Sequence, residues 1–197
     1  VNHVDGRPAR NRRWSEGEDL MRSPFFALLV AIATTTTASA SAKLSKSEPK
    51  IGELAPDIQL TLVSGEKVSI ANLRGKVVIL NYWATWCAPC KKELPTLDAY
   101  YQYFKDKGLQ VYAVTTRDSQ PLFTLKKLFA AMAIPAVRSI KSPYGNPEAV
   151  PTNIVIGRDG RIRYAAAGAF DLDALNEIIV PLLNERAPPT TSVAGSK

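Results

Sequence analysis

Two cysteines separated by two residues stand in the run Trp86-Cys87-Ala88-Pro89-Cys90, and the 197-residue chain has no others. Two thiols are too few for a disulfide scaffold, so their spacing calls for a chemical explanation. A thiol in the first turn of a helix meets the positive end of the macrodipole and unpaired backbone N–H groups, which favour the thiolate and lower its pKa. Placed there, Cys87 is the expected nucleophile. Cys90, one turn further on, can bring its sulfur to that of Cys87 from drier surroundings, and so is the expected resolving thiol. The expected chemistry is thiol–disulfide exchange, with Cys87–Cys90 as the redox disulfide. Pro89 suits the first helical turn, where its missing N–H costs nothing. Trp86 offers a flat apolar surface, and with Ala88 and Pro89 makes the expected substrate-facing surround of the thiols.

Other chemistries of a thiol pair fit this chain less well. A zinc site needs about four ligands, and the other candidate of the usual kind is His3, far upstream. A purely structural disulfide closing so short a loop stabilises little, because few conformations are lost. A dithiol can hold Cu(I), since soft thiolates suit that ion. The chain carries no Met-rich or His-rich tract to support that role, only Met21 and Met132. Apart from Cu(I) under this last reading, no cofactor is expected.

The elements that must position the thiols read clearly. Residues 76–83 carry Val77, Val78, Ile79 and Leu80 in a row, the pattern of a strand buried on both faces. A helix follows from about 87 to 107, with Pro95 inside it as a predicted kink and Gly108 as its stop. Residues 110–115 form a second buried strand. Upstream, 58–63 and 67–70 alternate as a hairpin joined through Ser64-Gly65. Downstream, 121–131 reads as a helix, and a stretch containing Pro135, Pro143 and Pro147 holds one short strand near Val137. Residues 152–156 and 161–166 form a hairpin around Arg158-Asp159-Gly160, and 171–185 forms a last helix with Asp171 as N-cap. The strand–helix–strand unit needs a right-handed parallel crossover and the late hairpin must be antiparallel. The expected fold is therefore α/β, a mixed central sheet flanked by helices.

The ends of the chain have their own composition. Met21-Arg22, the apolar run 25–33 and the small residues 38–42, with cleavage expected after Ala40 or Ala42, follow the order of a secretory signal peptide. A retained membrane anchor would need about 20 apolar residues, roughly twice this run. The expected organisation is an N-terminal extension and signal over 1–42, a linker over 43–50, one domain over 51–186, and a disordered Pro/Thr/Ser/Gly-rich tail over 187–197. The expected location is the periplasm, with membrane attachment only through residues 21–42 if they are retained. The formal charge is +7, but Lys and Arg are scattered, with Lys91-Lys92 and Lys126-Lys127 only as pairs, so no nucleic-acid partner is expected.

Several segments together resemble the thioredoxin-like fold, specifically the periplasmic TlpA/ResA/DsbE-type thiol-disulfide oxidoreductases. They are Gly52-Glu53-Leu54-Ala55-Pro56-Asp57, the early hairpin, Leu80 through Cys90, Lys91-Lys92-Glu93-Leu94-Pro95, and Val150-Pro151-Thr152. The resemblance covers residues 51–186 and implies a thioredoxin-like domain with an added N-terminal β-hairpin. It further implies that Pro151 is cis and faces the thiols, with substrate backbone pairing beside Val150, Pro151 and Thr152. Glu93, three residues after Cys90, would exchange the proton of Cys90; as a bare position it also fits a solvated surface glutamate. Where cytosolic thioredoxin has a buried aspartate, this chain has Asn81, which cannot exchange protons in the useful range, leaving acid–base work to Glu93 or water. Peroxiredoxins share the fold, but their threonine three residues before the reactive cysteine is replaced here by Ala84. The implied function is reduction of disulfides in exported clients, with electrons from an inner-membrane donor; the alternatives are a disulfide donor or isomerase. Family clients include apocytochrome c thiols and copper-site cysteines of respiratory assembly proteins.

Overall fold

The computed structural model of the chain describes residues 47–187. The expected signal over 1–42, most of the linker, and the tail beyond 187 lie outside the described residues. Seven strands form one mixed sheet: β1 (Gln59–Leu62), β2 (Lys67–Ser69), β3 (Val77–Trp83), β4 (Leu109–Thr115), β5 (Ala136–Lys141), β6 (Thr152–Ile156) and β7 (Ile162–Ala167). Their order across the sheet is β2-β1-β5-β4-β3-β6-β7. β3, β4 and β5 are parallel, while β6 runs antiparallel to β3, β7 to β6, β1 to β5 and β2 to β1. Three α-helices accompany the sheet: α1 (Ala88–Phe104), α2 (Lys126–Ala131) and α3 (Leu172–Asn184).

Every residue of β3 is buried, and alternation along it divides the core. Val77, Ile79 and Trp83 join a cluster with Leu94 and Leu97 of α1 and Leu175 and Ile179 of α3. Val78, Leu80 and Tyr82 join a second cluster with Leu60, Val137 and Tyr144. Leu97 and Ile179 are fully buried, and each contributes about 1.5–3 kcal/mol from burial. The same alternation puts Asn81 on the side of the first cluster, facing the helix that carries the cysteines.

The structure refines several expected boundaries. α1 runs through Pro95 without interruption and ends at Phe104. Its continuation, Lys105–Lys107, tightens into a 3-10 turn, closed by Gly108 in the left-handed region at φ 99°. The helix expected over 121–131 is α-helical only over α2, because Leu122–Leu125 forms a 3-10 turn. There the Pro121 carbonyl accepts both the backbone N–H and the hydroxyl of Thr124, a local closure that competes with the α-helical ladder. The short strand near Val137 is six residues long, Ala136–Lys141. β1 zips onto it with Leu60 opposite Ile140, which joins the early hairpin to the central sheet.

Candidate active site

Cys87 is the N-cap of α1, with Ala88 and Pro89 in the first turn. The chain leaves β3 at Trp83, and the Cys87 N–H donates to Ala84 O at 3.1 Å, turning the backbone into the helix. The Cys90 N–H then donates to Cys87 Sγ at 3.2 Å, so the sulfur occupies the capping position that a serine or aspartate oxygen usually fills. A thiolate there would accept the same N–H. The two sulfurs form a disulfide, S–S 2.05 Å. Cys87 and Cys90 are both buried, whereas Ala88 and Pro89 are exposed.

The proline segment closes over this turn. The Val150–Pro151 peptide is cis, and Cys87 Sγ lies 3.5 Å from the Val150 carbonyl oxygen. The Thr152 hydroxyl donates to Ala149 O at 2.7 Å, pinning the chain just ahead of β6. Trp86, 58% exposed, donates its indole N–H to Asp118 Oδ2 at 3.0 Å. The Thr116 hydroxyl, followed by other contacts including Trp86, holds the Asp118 carboxyl below its ordinary range. The segment bearing Asp118 is tied to the turn before the cysteines, since Gln120 N donates to Thr85 Oγ1 at 2.9 Å. Between Trp86 and Val150 runs a cleft of about 210 Å³, lined also by Arg117, Asp118, Pro147 and Glu148. A larger apolar cavity of about 620 Å³ lies beside α1, lined by Trp83, Leu94, Pro95 and Met132, and neither cysteine lines it.

Glu93 is 2% exposed, not a surface residue. Its Oε1 accepts from Asn153 Nδ2 at 2.7 Å and from the Phe170 N–H at 2.8 Å, and its Oε2 accepts from Asn81 Nδ2 at 3.0 Å. Burial pushes the Glu93 carboxyl up from 4.5, and these three N–H donors pull the other way without cancelling it. No sequence motif marks Asn153 or Phe170 for a role. The available signal was Asn153 itself, an amide leading directly into the apolar run 154–156. Asn81 and Asn153 are direct cross-strand partners of β3 and β6, so two amides on one face meet side by side beneath α1.

The fold, with a dithiol capping the helix after a central strand, defines the class as thioredoxin-like. The family model described as the AhpC/TSA family matches residues 51–165, and the chain belongs to this family. Among its relatives are thiol-disulfide oxidoreductases. The chain is 31% identical over 177 residues to thiol-disulfide oxidoreductase ResA of Oceanobacillus iheyensis, covering 86% of this chain and 89% of that protein. It is 30% identical over 123 residues to ResA of Bacillus subtilis strain 168, covering 60% and 68% respectively. Among solved structures, a Chlorobium tepidum protein described as a thiol:disulfide interchange protein DsbE superposes with TM-score 0.57 at 27% identity, over 69% of this chain and 99% of that one. The chain is a thiol-disulfide oxidoreductase of the ResA/DsbE type.

Proposed function

We propose that the protein reduces disulfides in exported client proteins, drawing electrons from an inner-membrane donor, and that it works in the periplasm. The observation that carries the reading is the cysteine turn itself: Cys87 caps α1 within 3.5 Å of the Val150 carbonyl, beside the cis proline. A client strand entering the cleft between Trp86 and Val150 would bring its own sulfur to Cys87, with Trp86, Ala88 and Pro89 on one side and Val150, Pro151 and Thr152 on the other.

In this reading the Cys87 thiolate attacks the client disulfide. One client sulfur leaves as thiolate and the other remains bound to Cys87 Sγ. Cys90 then gives up its proton, attacks Cys87 Sγ and forms the Cys87–Cys90 disulfide, so that the second client sulfur leaves and two electrons have passed to the client. Glu93, one turn after Cys90 on the same helix, is the group that takes that proton. Its raised pKa brings the carboxyl nearer the working pH, where proton transfer is most effective. Asparagine at 81 fits this division of labour, since it supports Glu93 and carries no exchangeable charge of its own. No cofactor beyond the dithiol is required. The clients that suit the chemistry are exported proteins with paired cysteines, such as apocytochrome c and the copper-site proteins of respiratory assembly.

The experiment is the reduction potential of the Cys87–Cys90 pair, by equilibration of the full chain with glutathione or dithiothreitol buffers. A value near that of thioredoxin, roughly −270 mV, supports a reductase. A value near that of DsbA, roughly −120 mV, means that the protein donates disulfides and that electrons flow the other way.

A further inference from the structure

The hydrogen bonds around Glu93 form a closed pattern whose direction is set from outside. The Gly168 carbonyl can only accept, and it receives Asn153 Nδ2 at 3.1 Å. That fixes the Asn153 amide, so its Oδ1 faces Asn81 and receives Asn81 Nδ2 at 2.8 Å. Each amide nitrogen has one N–H left, and both point to the carboxyl: Asn153 to Oε1 and Asn81 to Oε2. Turning either amide would set oxygen against oxygen. The segment that provides Gly168 and the Phe170 N–H is itself held to the site, because Gly168 N donates to Pro151 O at 2.8 Å.

The two carboxyl oxygens are therefore unequal. Oε1 already accepts two N–H bonds, from Asn153 and Phe170, which occupy both of its in-plane lone pairs. Among the described residues, Oε2 accepts one, from Asn81. We propose that Asn153 and Asn81 are positioning residues that lock Glu93 through Oε1, make Oε2 the oxygen that takes up and returns the Cys90 proton, and set the pH at which it does so. The proposal rests on the reading of Glu93 as the proton carrier.

Other charges do not compete for this role. From β3 the neighbour is Asn81, from β6 Asn153, and from the segment before α3 the Phe170 N–H. On α1 itself the titratable groups nearby are the reduced thiols of Cys87 and Cys90 and the exposed Lys91 and Lys92. No side-chain charge figures among the causes acting on the Glu93 carboxyl.

The proton on Cys90 Sγ moves to Glu93 Oε2. The Cys90 thiolate forms a bond to Cys87 Sγ as the bond from Cys87 Sγ to the partner sulfur breaks, and that sulfur leaves as a thiolate. Removing a donor from the carboxylate weakens the charged form, so Glu93 would stay protonated to higher pH and the acid limb of the Cys90 step would move up.

The test uses the full chain, reduced, mixed with 5,5′-dithiobis(2-nitrobenzoate) across a range of pH. The first release of nitrothiobenzoate reports attack by Cys87 and serves as internal reference; the second reports resolution by Cys90. In Glu93→Gln the acid limb contributed by Glu93 to the second phase disappears. In Asn153→Leu that limb moves up by about one pH unit, the order expected from one lost bond to a charged group. Asn153→Thr, which keeps a donor, returns part of the shift. Should the leucine variant fail to fold, Asn153→Asp removes the donor at constant shape and moves the limb in the same direction. An unmoved limb in Asn153→Leu and Asn153→Asp, with the Glu93→Gln effect intact, overturns the proposal and spares the reading of Glu93. A wild-type limb in Glu93→Gln removes that reading and the proposal with it.

Discussion

Glu93 is a carboxyl in a place that disfavours its charge, supported by three neutral donors and no cation, and its stability cost should depend on pH in a definite direction. Its folded-state pKa lies above 4.5, so the native state holds the proton more tightly than the unfolded chain. The contribution of this group to stability is therefore full below 4.5 and is lost as pH rises through the folded pKa. In the oxidised protein, where the thiols do not titrate, Glu93→Gln should gain stability relative to wild type between pH 4 and pH 8. Thermal melts of both proteins across that range check this; a gap that stays constant or shrinks with pH rules it out. Cys87 and Cys90 separate in the same residue-by-residue way. Cys87→Ser should reduce exchange to the uncatalysed background, while Cys90→Ser should accumulate a mixed disulfide with client on Cys87. Non-reducing gels with mass spectrometry identify the trapped cysteine, and trapping through Cys90 in the reciprocal variant would reverse the assignment. Replacing Glu93 by Gln should slow the resolving step by about 10²-fold, the lower range for a positioned general base.

At the scale of elements, a polar contact in mid-helix also holds the cysteine helix in place. Asp98, buried in the middle of α1, accepts from the N–H groups of Ala133 and Ile134, both at 2.8 Å, and so docks the segment between α2 and β5 onto the helix. Asp98→Ala leaves two backbone donors without their partner, at a cost of about 3 kcal/mol. Denaturant titration should show that loss with an unchanged m-value. α3 begins at Asp171, whose Oδ1 accepts from Ala174 N at 2.8 Å, the N-cap expected from the sequence. Asp171→Ala should cost about 1 kcal/mol and lower Tm by roughly 2–4 °C, while Asp171→Ser should restore most of it. The cap was legible because Asp followed by an amphipathic run is a local signal. The 3-10 turn before α2 was not, because its apolar spacing suits either helix and only the Thr124–Pro121 contacts decide between them.

Across the whole molecule, the reactive end and the structural end of the sheet lie at opposite ends of β3. Where β3 starts, Arg158 donates to the carbonyls of Gly75, Lys107, Leu182 and Leu183, fastening the entry to β3, the end of the α1 extension and the end of α3. Lysine cannot reproduce this fork, so Arg158→Lys should cost about 2 kcal/mol and leave the Cys87 exchange rate of the folded protein unchanged. A drop in rate without a drop in stability would mean that this end of the sheet reaches the site. The dithiol, its place at the start of a helix after a buried strand, the succession of strands and helices along the chain and the cap of α3 were legible in the sequence, because each depends on residues close together in the chain. The unbroken apolar run of β3 likewise marked it as a strand buried on both faces. What tertiary structure alone decided is how distant segments meet. Register places Asn81 opposite Asn153, although 72 residues separate them. The turn before α3 delivers the Phe170 N–H to a glutamate 77 residues away. Burial of Glu93 and the inequality of its two oxygens follow from those meetings, since a side chain's solvent and its donors are properties of the packed neighbourhood and not of the local sequence.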